Sequence, residues 1–262
     1  MYSTSNNSVK NPSEFGQIKT KSVSATQDFP LRIKIVSDVH LGYLNSDTAS
    51  FNKFLDALQS DSETTDLVLL GDIVDMWRRD ASGIFLEYSE IFRKLIKLKE
   101  KMRVHYVAGN HDYHVLQLRG QTYPFDFRET LEFKDGKFTY IIKHGFEYDP
   151  IQKATVMEAL CHVMFNPIGV FDGLFGITQP PEKRLAHILN DLEQRAYATI
   201  KKGEILVFGH THHPFINNAG NFVNTGSWVL DSPIHNTIVE LHAGKARLFT
   251  FEGPEITERA KF

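Results

Sequence analysis

The sequence predicts an α/β fold with a β-rich core, and two observations predict it. Short apolar runs with strand patterning recur along the chain, and amphipathic helical stretches separate the early ones. A third observation says where function would sit. Five of these runs end in short motifs: Asp38-Val39-His40, Gly71-Asp72-Ile73-Val74-Asp75, Gly109-Asn110-His111-Asp112, His144-Gly145 and Gly209-His210-Thr211-His212.

The elements follow in order. Leu31 to Ser37 alternates Ile33 and Ile35 against Arg32 and Lys34, then adds Val36, which is a strand pattern ending at Asp38. Phe51, Phe54, Leu55 and Leu58 share one helical face. Asp66 to Leu70 is a continuous apolar run of the kind that suits a strand buried on both sides. Ile84, Tyr88, Ile91, Phe92, Leu95 and Leu98 return to helical spacing, and Val104 to Ala108 is the next strand. Leu131 to Phe133 and Phe138 to Lys143 read as a hairpin with an Asp-Gly turn at Asp135-Gly136. Glu204 to Phe208 is a further strand, and three more are expected around Phe222-Val223, Thr237 to Leu241 and Ala246 to Phe251.

Two segments stand apart. Residues 1–28 lack periodicity and read as a flexible tail before a domain spanning 29–262. Residues 150–202 interrupt the strand pattern. They begin with an apolar stretch broken by Gly and Pro and end in a polar helical stretch from Glu182 to Lys202. This segment reads as a helical insert or cap beside the site. Its apolar part either packs on the core or touches acyl chains or a membrane surface.

Composition narrows the function. A formal net charge of −3 argues against a chain that grips a nucleic-acid backbone. The lysines at 94, 97, 99 and 101 lie mostly off the apolar stripe and read as a solvated helix face. One cysteine, Cys161, cannot build a disulfide within the chain, and no apolar run is long enough to span a membrane. The expected location is cytoplasmic, with any membrane contact peripheral.

The five motifs supply carboxylates, imidazoles and one amide. That mixture is the ligand set of a two-metal site, and it suits manganese, iron, zinc, cobalt or nickel better than calcium or magnesium. Two such ions a few ångströms apart lower the pKa of a bridging water and clamp phosphoryl oxygens, so the chemistry points to phosphate-ester hydrolysis. Any one motif alone is weak, since Gly-Asp is usually a turn and a lone His is usually structural. Their joint occurrence at strand ends carries the reading. Asp112 reads as a loop-shaping residue, and His114 and His213 lie near enough to the motifs to touch substrate.

This ordered set resembles the calcineurin-like metallophosphoesterase family, from about Leu31 to Gly226. The resemblance implies a four-layer αββα sandwich. It implies that Asp38, His40, Asp72 and His212 hold one metal, manganese first among the candidates. Asp72, Asn110, His144 and His210 would hold the other, so Asp72 bridges. It further implies that His111 faces the phosphate and donates a proton or hydrogen bond, with Asp75 orienting its other ring nitrogen.

Finer details are similar to one branch. Ser37-Asp38-Val39-His40-Leu41-Gly42, Gly71-Asp72-Ile73-Val74-Asp75-Met76-Trp77 and Asn224-Thr225-Gly226-Ser227-Trp228-Val229 resemble UDP-2,3-diacylglucosamine pyrophosphatases and their relatives. Met76, where the family's serine/threonine protein phosphatases carry Arg, argues against a protein phosphatase. His111 departs from the branch, which usually has Arg there. The expected substrate is therefore a phosphodiester, pyrophosphate or phosphomonoester on a small, nucleotide- or lipid-linked molecule. A nuclease of the same family and a catalytically silent binding scaffold are the alternatives.

Overall fold

The computed structural model describes residues 23–24, 31–121, 124–149, 182–253 and 255–259. Among the described residues, thirteen strands form two sheets. The first contains β2 (Arg32–Val36), β3 (Asp66–Leu70), β4 (Arg103–Val107), β5 (Phe127–Arg128), β11 (Thr237–His242), β12 (Lys245–Glu252) and β13 (Glu255–Glu258), in the order β13-β12-β11-β2-β3-β4-β5. The second contains β1 (Val23–Ser24), β6 (Thr130–Asp135), β7 (Phe138–Lys143), β8 (Glu204–Phe208), β9 (Phe215–Ile216) and β10 (Phe222–Asn224), in the order β1-β6-β7-β8-β10-β9.

The side-chain pattern explains how the sheets stack. In β3, Val68 and Leu70 point to the space between the sheets, while Leu67 and Leu69 point outward, and all four are fully buried. A strand covered on both faces needs no polar alternation, which accounts for the continuous apolar run. The inner core joins Ile33, Ile35, Val68 and Leu70 to Phe133, Tyr140, Ile142 and Val207 of the facing sheet.

Helices cover the outer faces. Helix α1 (Thr48–Ser60) lays Phe51, Phe54, Leu55 and Leu58 on the first sheet, each fully buried and stabilising by roughly 1.5–3 kcal/mol. It starts at Asp47, whose carboxylate accepts the Ser50 amide at 3.1 Å. The second helical stripe forms two helices, α2 (Ala81–Glu87) and α3 (Ser89–Leu98), with the chain bending at Tyr88. On the other side, α4 (Glu182–Tyr197) seats Leu192 and Ala196 on Leu206, Phe208 and Phe222 of the second sheet. The result is the four-layer αββα sandwich.

Some expectations shift in detail. The hairpin turn sits one residue later than Asp135-Gly136, because Asp135 stays paired with Phe138. Gly136 and Lys137 make the turn, and only Gly136 has positive φ, which is the pattern of a turn with Gly at its first central position. The short strands β1, β5, β9 and β13 have no counterpart in the sequence reading, since two to four residues carry no usable period. Val23–Ser24, within the segment read as a tail, pairs in parallel with Phe133–Lys134. The rest of 1–28, and residues 150–181 with Cys161, lie outside the described residues.

The basic run is spent locally. Lys94 pairs with Asp56 at 2.6 Å and Glu90 at 3.3 Å, and Lys99 and Lys101 reach the carbonyls of Pro124 and Gln59. No helix among the described residues is long and apolar enough to cross a membrane.

Candidate metal centre

Parallel pairing puts the C-terminal ends of β2, β3 and β4 side by side, and those of β7 and β8 likewise. The chain then keeps pairing beyond the strands. Asp38 N donates to Gly71 O at 3.0 Å, His40 N to Asp72 O at 2.8 Å, and Gly209 N to His144 O at 2.8 Å. These bonds hold five loops from two sheets around one spot, as expected for a site at the carboxyl ends of strands.

Asp38, His40, Asp72, His210 and His212 all adopt φ between +52° and +66°. Non-glycine residues rarely occupy this left-handed region, and each costs on the order of 1–3 kcal/mol. The packing around them is tight enough to hold them there. A Cβ on Gly109 would lie 2.1 Å from Asp72 Oδ1, and one on Gly209 would lie 2.5 Å from Asp38 Oδ2. The glycines in these motifs are therefore space for the neighbouring carboxylates.

Three groups of side chains converge closely enough to share an ion: Asp38, His40 and His212; Asp72, His144 and His210; and His40, Asp75 and His111. His212 Nε2 lies 3.2 Å from Asp38 Oδ1 and 3.3 Å from His40 Nε2. Asp72 Oδ2 stands between the first two groups, 3.2 Å from His144 Nε2 and 3.8 Å from His40 Nε2. Its other oxygen accepts the His111 amide at 2.8 Å. All nine residues expected at the site lie within this constellation except Asn110. Asn110 offers an amide oxygen rather than a carboxylate or imidazole, and that buried Oδ1 has no hydrogen-bond partner.

Two further buried atoms, Asp38 Oδ1 and His144 Nε2, make no well-aligned hydrogen bond, although each faces an ionisable partner at 3.2 Å. Buried polar atoms short of hydrogen bonds are costly and rare. Such oxygen and imidazole atoms gathered at one spot fit divalent transition metals.

The electrostatics follow from crowding. Burial alone would raise the Asp72 carboxyl, but His144 and His111 outweigh it and hold it far below the carboxylate range. Burial lowers His144, yet Asp72 and Asp38 overcome it and lift the imidazole to about 10. His40 is lowered, chiefly by burial. His111 resists burial and is raised by Asp75 and Asp72.

Asp75 organises the rim. Its Oδ1 lies 3.0 Å from His111 Nδ1, and its Oδ2 lies 3.1 Å from His40 Nδ1 and 2.6 Å from Arg78 Nη1. Arg78 also lies over the Tyr43 ring at 4.5 Å, and Arg79 pairs with Glu87 at 2.5 Å, so both arginines are engaged by the protein. Asp112 is fully buried and acts as a staple. It accepts Ile73 N at 2.8 Å, Tyr106 OH at 2.7 Å and Gly109 N at 2.6 Å, which ties the loop after β3 to the loop after β4.

Several contributors escaped the sequence reading. Trp77 stacks on His111 with ring centroids 4.1 Å apart. Asn224 Nδ2 donates to Gly209 O at 3.1 Å and to Thr211 Oγ1 at 2.8 Å, bracing the last motif, and Ser37 Oγ meets Thr225 Oγ1 at 2.6 Å. The Asn224-to-Val229 run is the sequence signal for the Asn224 and Thr225 contacts, and in sequence it carries only a resemblance. His213 pairs with Glu193 at 3.3 Å, and His114 lies 3.3 Å from Gln117 Nε2; neither joins the three groups.

A hydrolase that works with divalent metal is the class of protein this arrangement defines. Residues 31–214 match the family described as calcineurin-like phosphoesterase. The chain belongs to that family and is a metal-dependent phosphoester hydrolase. No curated protein matches it. Among solved structures it is similar to Vacuolar Protein Sorting 29 from Cryptosporidium parvum, at 16% identity over 88% of this chain and 97% of that one, with a TM-score of 0.45. A dimetal phosphatase from Danio rerio gives 14% identity over 86% and 100%, with 0.43. An archaeal phosphodiesterase gives 11% identity over 83% and 98%, with 0.40. Family membership rests on the sequence match rather than on these likenesses.

Proposed function

We propose that this protein is a two-metal phosphoesterase that hydrolyses a phosphodiester, pyrophosphate or phosphomonoester bond in a nucleotide- or lipid-linked small molecule. The observation that carries the reading is the set of three buried atoms that make no well-aligned hydrogen bond, Asp38 Oδ1, Asn110 Oδ1 and His144 Nε2, gathered around a carboxylate that touches two imidazole groups. In this proposal Asp38, His40, Asp72 and His212 hold one metal, and Asp72, Asn110, His144 and His210 hold the other. Manganese is the proposed occupant. The bound metals would supply an activated water and neutralise charge on the phosphoryl oxygens.

The remaining work falls to the chain's own residues. In the protonated ring, which Asp75 and Asp72 favour, His111 Nδ1–H donates to Asp75 and Nε2–H is left to face the substrate and donate to a phosphoryl or leaving-group oxygen. The fixed left-handed backbone at five of the seven proposed ligands keeps the donor set from rearranging when charge develops. The Asp75-Met76-Trp77 and Asn224-to-Val229 runs support placement beside the UDP-2,3-diacylglucosamine pyrophosphatases, while His111 in place of Arg weighs against that exact substrate. A cytoplasmic location, and membrane contact through residues 150–202, belong to the same proposal. A nuclease gains no support, because Lys94, Lys99 and Lys101 are occupied by the protein itself.

The test is hydrolysis of a chromogenic phosphodiester by metal-stripped protein, with and without Mn²⁺, beside Asp72→Asn. Manganese-dependent turnover that disappears in the variant supports the reading. Wild-type turnover in Asp72→Asn with two metals still bound would remove Asp72 as the bridge. No turnover with any transition metal would favour the silent scaffold.

A further inference from the structure

Three groups hold the imidazole of His111. Asp75 Oδ1 takes its Nδ1 at 3.0 Å. His40 meets it edge-on, with centroids 4.7 Å apart at 88°. The indole of Trp77 lies nearly parallel to it, with centroids 4.1 Å apart and 26° between the planes. A single hydrogen bond fixes where Nδ1 sits but lets the ring rock about the Nδ1–Oδ1 line. A stacked aromatic plane removes that freedom.

The indole is itself held by the residue that orients His111. Asp75 Oδ1 accepts the Arg78 amide at 3.1 Å as well as the imidazole, and Asp75 O accepts the Arg79 amide at 3.1 Å. These bonds close a turn over residues 75–79 with Trp77 at its middle. The turn is anchored by Asp75 N on Leu41 O at 2.9 Å, and Arg78 is pinned between Asp75 and the Tyr43 ring. One carboxylate thus orients the imidazole in its plane and folds the turn that covers its face.

We infer that Trp77 is a positioning residue for His111: it holds the ring plane so that Nε2 keeps one direction. The inference rests on the role proposed above for His111. It gives a physical reason for a Trp two residues after Asp75, a position that the ligand chemistry leaves unexplained.

Steady-state kinetics of the full chain with Mn²⁺ test the catalytic part. Trp77→Ala should lower kcat by roughly 10–10²-fold, with KM and bound metal unchanged, as for a misaligned reacting group. Trp77→Phe should restore most of the rate. In a His111→Ala background, Trp77→Ala should cost nothing more, because the two act as a unit. A raised KM at constant kcat, or an equal loss in the His111→Ala background, overturns the inference and assigns Trp77 to substrate contact or to the fold.

NMR of the metal-free protein tests the stack without turnover. Nuclear Overhauser contacts should link the Trp77 indole to the His111 imidazole, and the order of the His111 ring should fall in Trp77→Ala and recover in Trp77→Phe. Missing contacts or unchanged order overturn the inference whatever the activity. Absent wild-type turnover with the contacts and the order change intact would instead overturn the phosphoesterase reading, and with it the catalytic meaning of the stack.

Discussion

His144 Nε2 lies 3.2 Å from Asp72 Oδ2, a contact between the two sheets of the sandwich. The other ring nitrogen of His144 donates to Leu70 O at 2.9 Å, so Nε2 is the atom left to face the carboxylate. Asp72 therefore meets an imidazole whose direction is set by backbone.

Metal uptake should release protons. The Asp72 and Asp38 carboxylates lift His144 to about 10 despite burial, so its Nε2 carries a proton at neutral pH in the metal-free protein. A metal ligand must give that proton up. Calorimetric titration of stripped protein with Mn²⁺ at pH 7, in buffers of differing ionisation enthalpy, should show net proton release that vanishes in His144→Ala. The same uptake should raise Tm. At a hundredfold excess over Kd the stabilisation is about 2.7 kcal/mol, or roughly 5–10 °C for a chain of this size. Buffer-independent heats, or an unmoved Tm, would contradict the donor set.

Replacing His111 with Ala should leave both metals bound and lower kcat by roughly 10²–10⁴, the range for a lost general acid. Metal analysis alongside kinetics decides it. Loss of metal in the variant would make His111 a ligand and reassign its role.

Gly109→Ala should be more damaging than its size suggests. The added methyl would fall 2.1 Å from Asp72 Oδ1. Something must move, and the neighbours are the loop tied by Asp112 and the carboxylate itself. We expect lowered metal affinity and a lower Tm together. Wild-type affinity and melting would show that the loops yield more easily than their hydrogen bonds imply. Asp112→Ala should destabilise by about 3 kcal/mol, since it strands two backbone amides and the Tyr106 hydroxyl.

A separate pH effect comes from the end of α1. Burial raises the Asp61 carboxyl, but hydrogen bonds from Lys34, Thr64 and the Glu63 amide outweigh it and hold the group well below its ordinary range. A depressed folded value stabilises in full above the unfolded pKa near about 4, and the stabilisation is lost as pH falls toward the folded value. Asp61→Asn should cost roughly 1–2 kcal/mol at pH 7, discounted for partial exposure. Denaturant melts should show the gap closing below about pH 4, and a gap independent of pH would refute the ion pair's contribution.

Much of the fold was legible because local patterns report local environments. The doubly buried β3 announced itself as an unbroken apolar run, and α1 as one apolar face. The turn after β6 was misplaced by one residue, since Asp-Gly and Gly-Lys are both plausible turns and only the strand register chooses between them. The sequence shows Glu182–Tyr197 as a polar helix, and only the structure seats its Leu192 and Ala196 on the second sheet as the fourth layer. Helical periodicity reports that a face is apolar but not which sheet it covers.

The candidate site divides along the same line. The residues that offer donor atoms were visible in the sequence because each sits in a short motif at a strand end, and chemistry requires only certain side chains there. What joins the motifs was invisible. The Asp112 staple spans 39 residues to Ile73, the Asp75–His111 bond spans 36, and the Trp77 stack and the sequestering of Arg78 follow from how the 75–79 turn folds. By itself the sequence determined the α/β class, the order of the longer strands along the chain and the set of donor side chains. Only the tertiary structure decided which of them face one another, because those contacts depend on sheet pairing and loop packing between segments far apart in the chain, which no local period encodes.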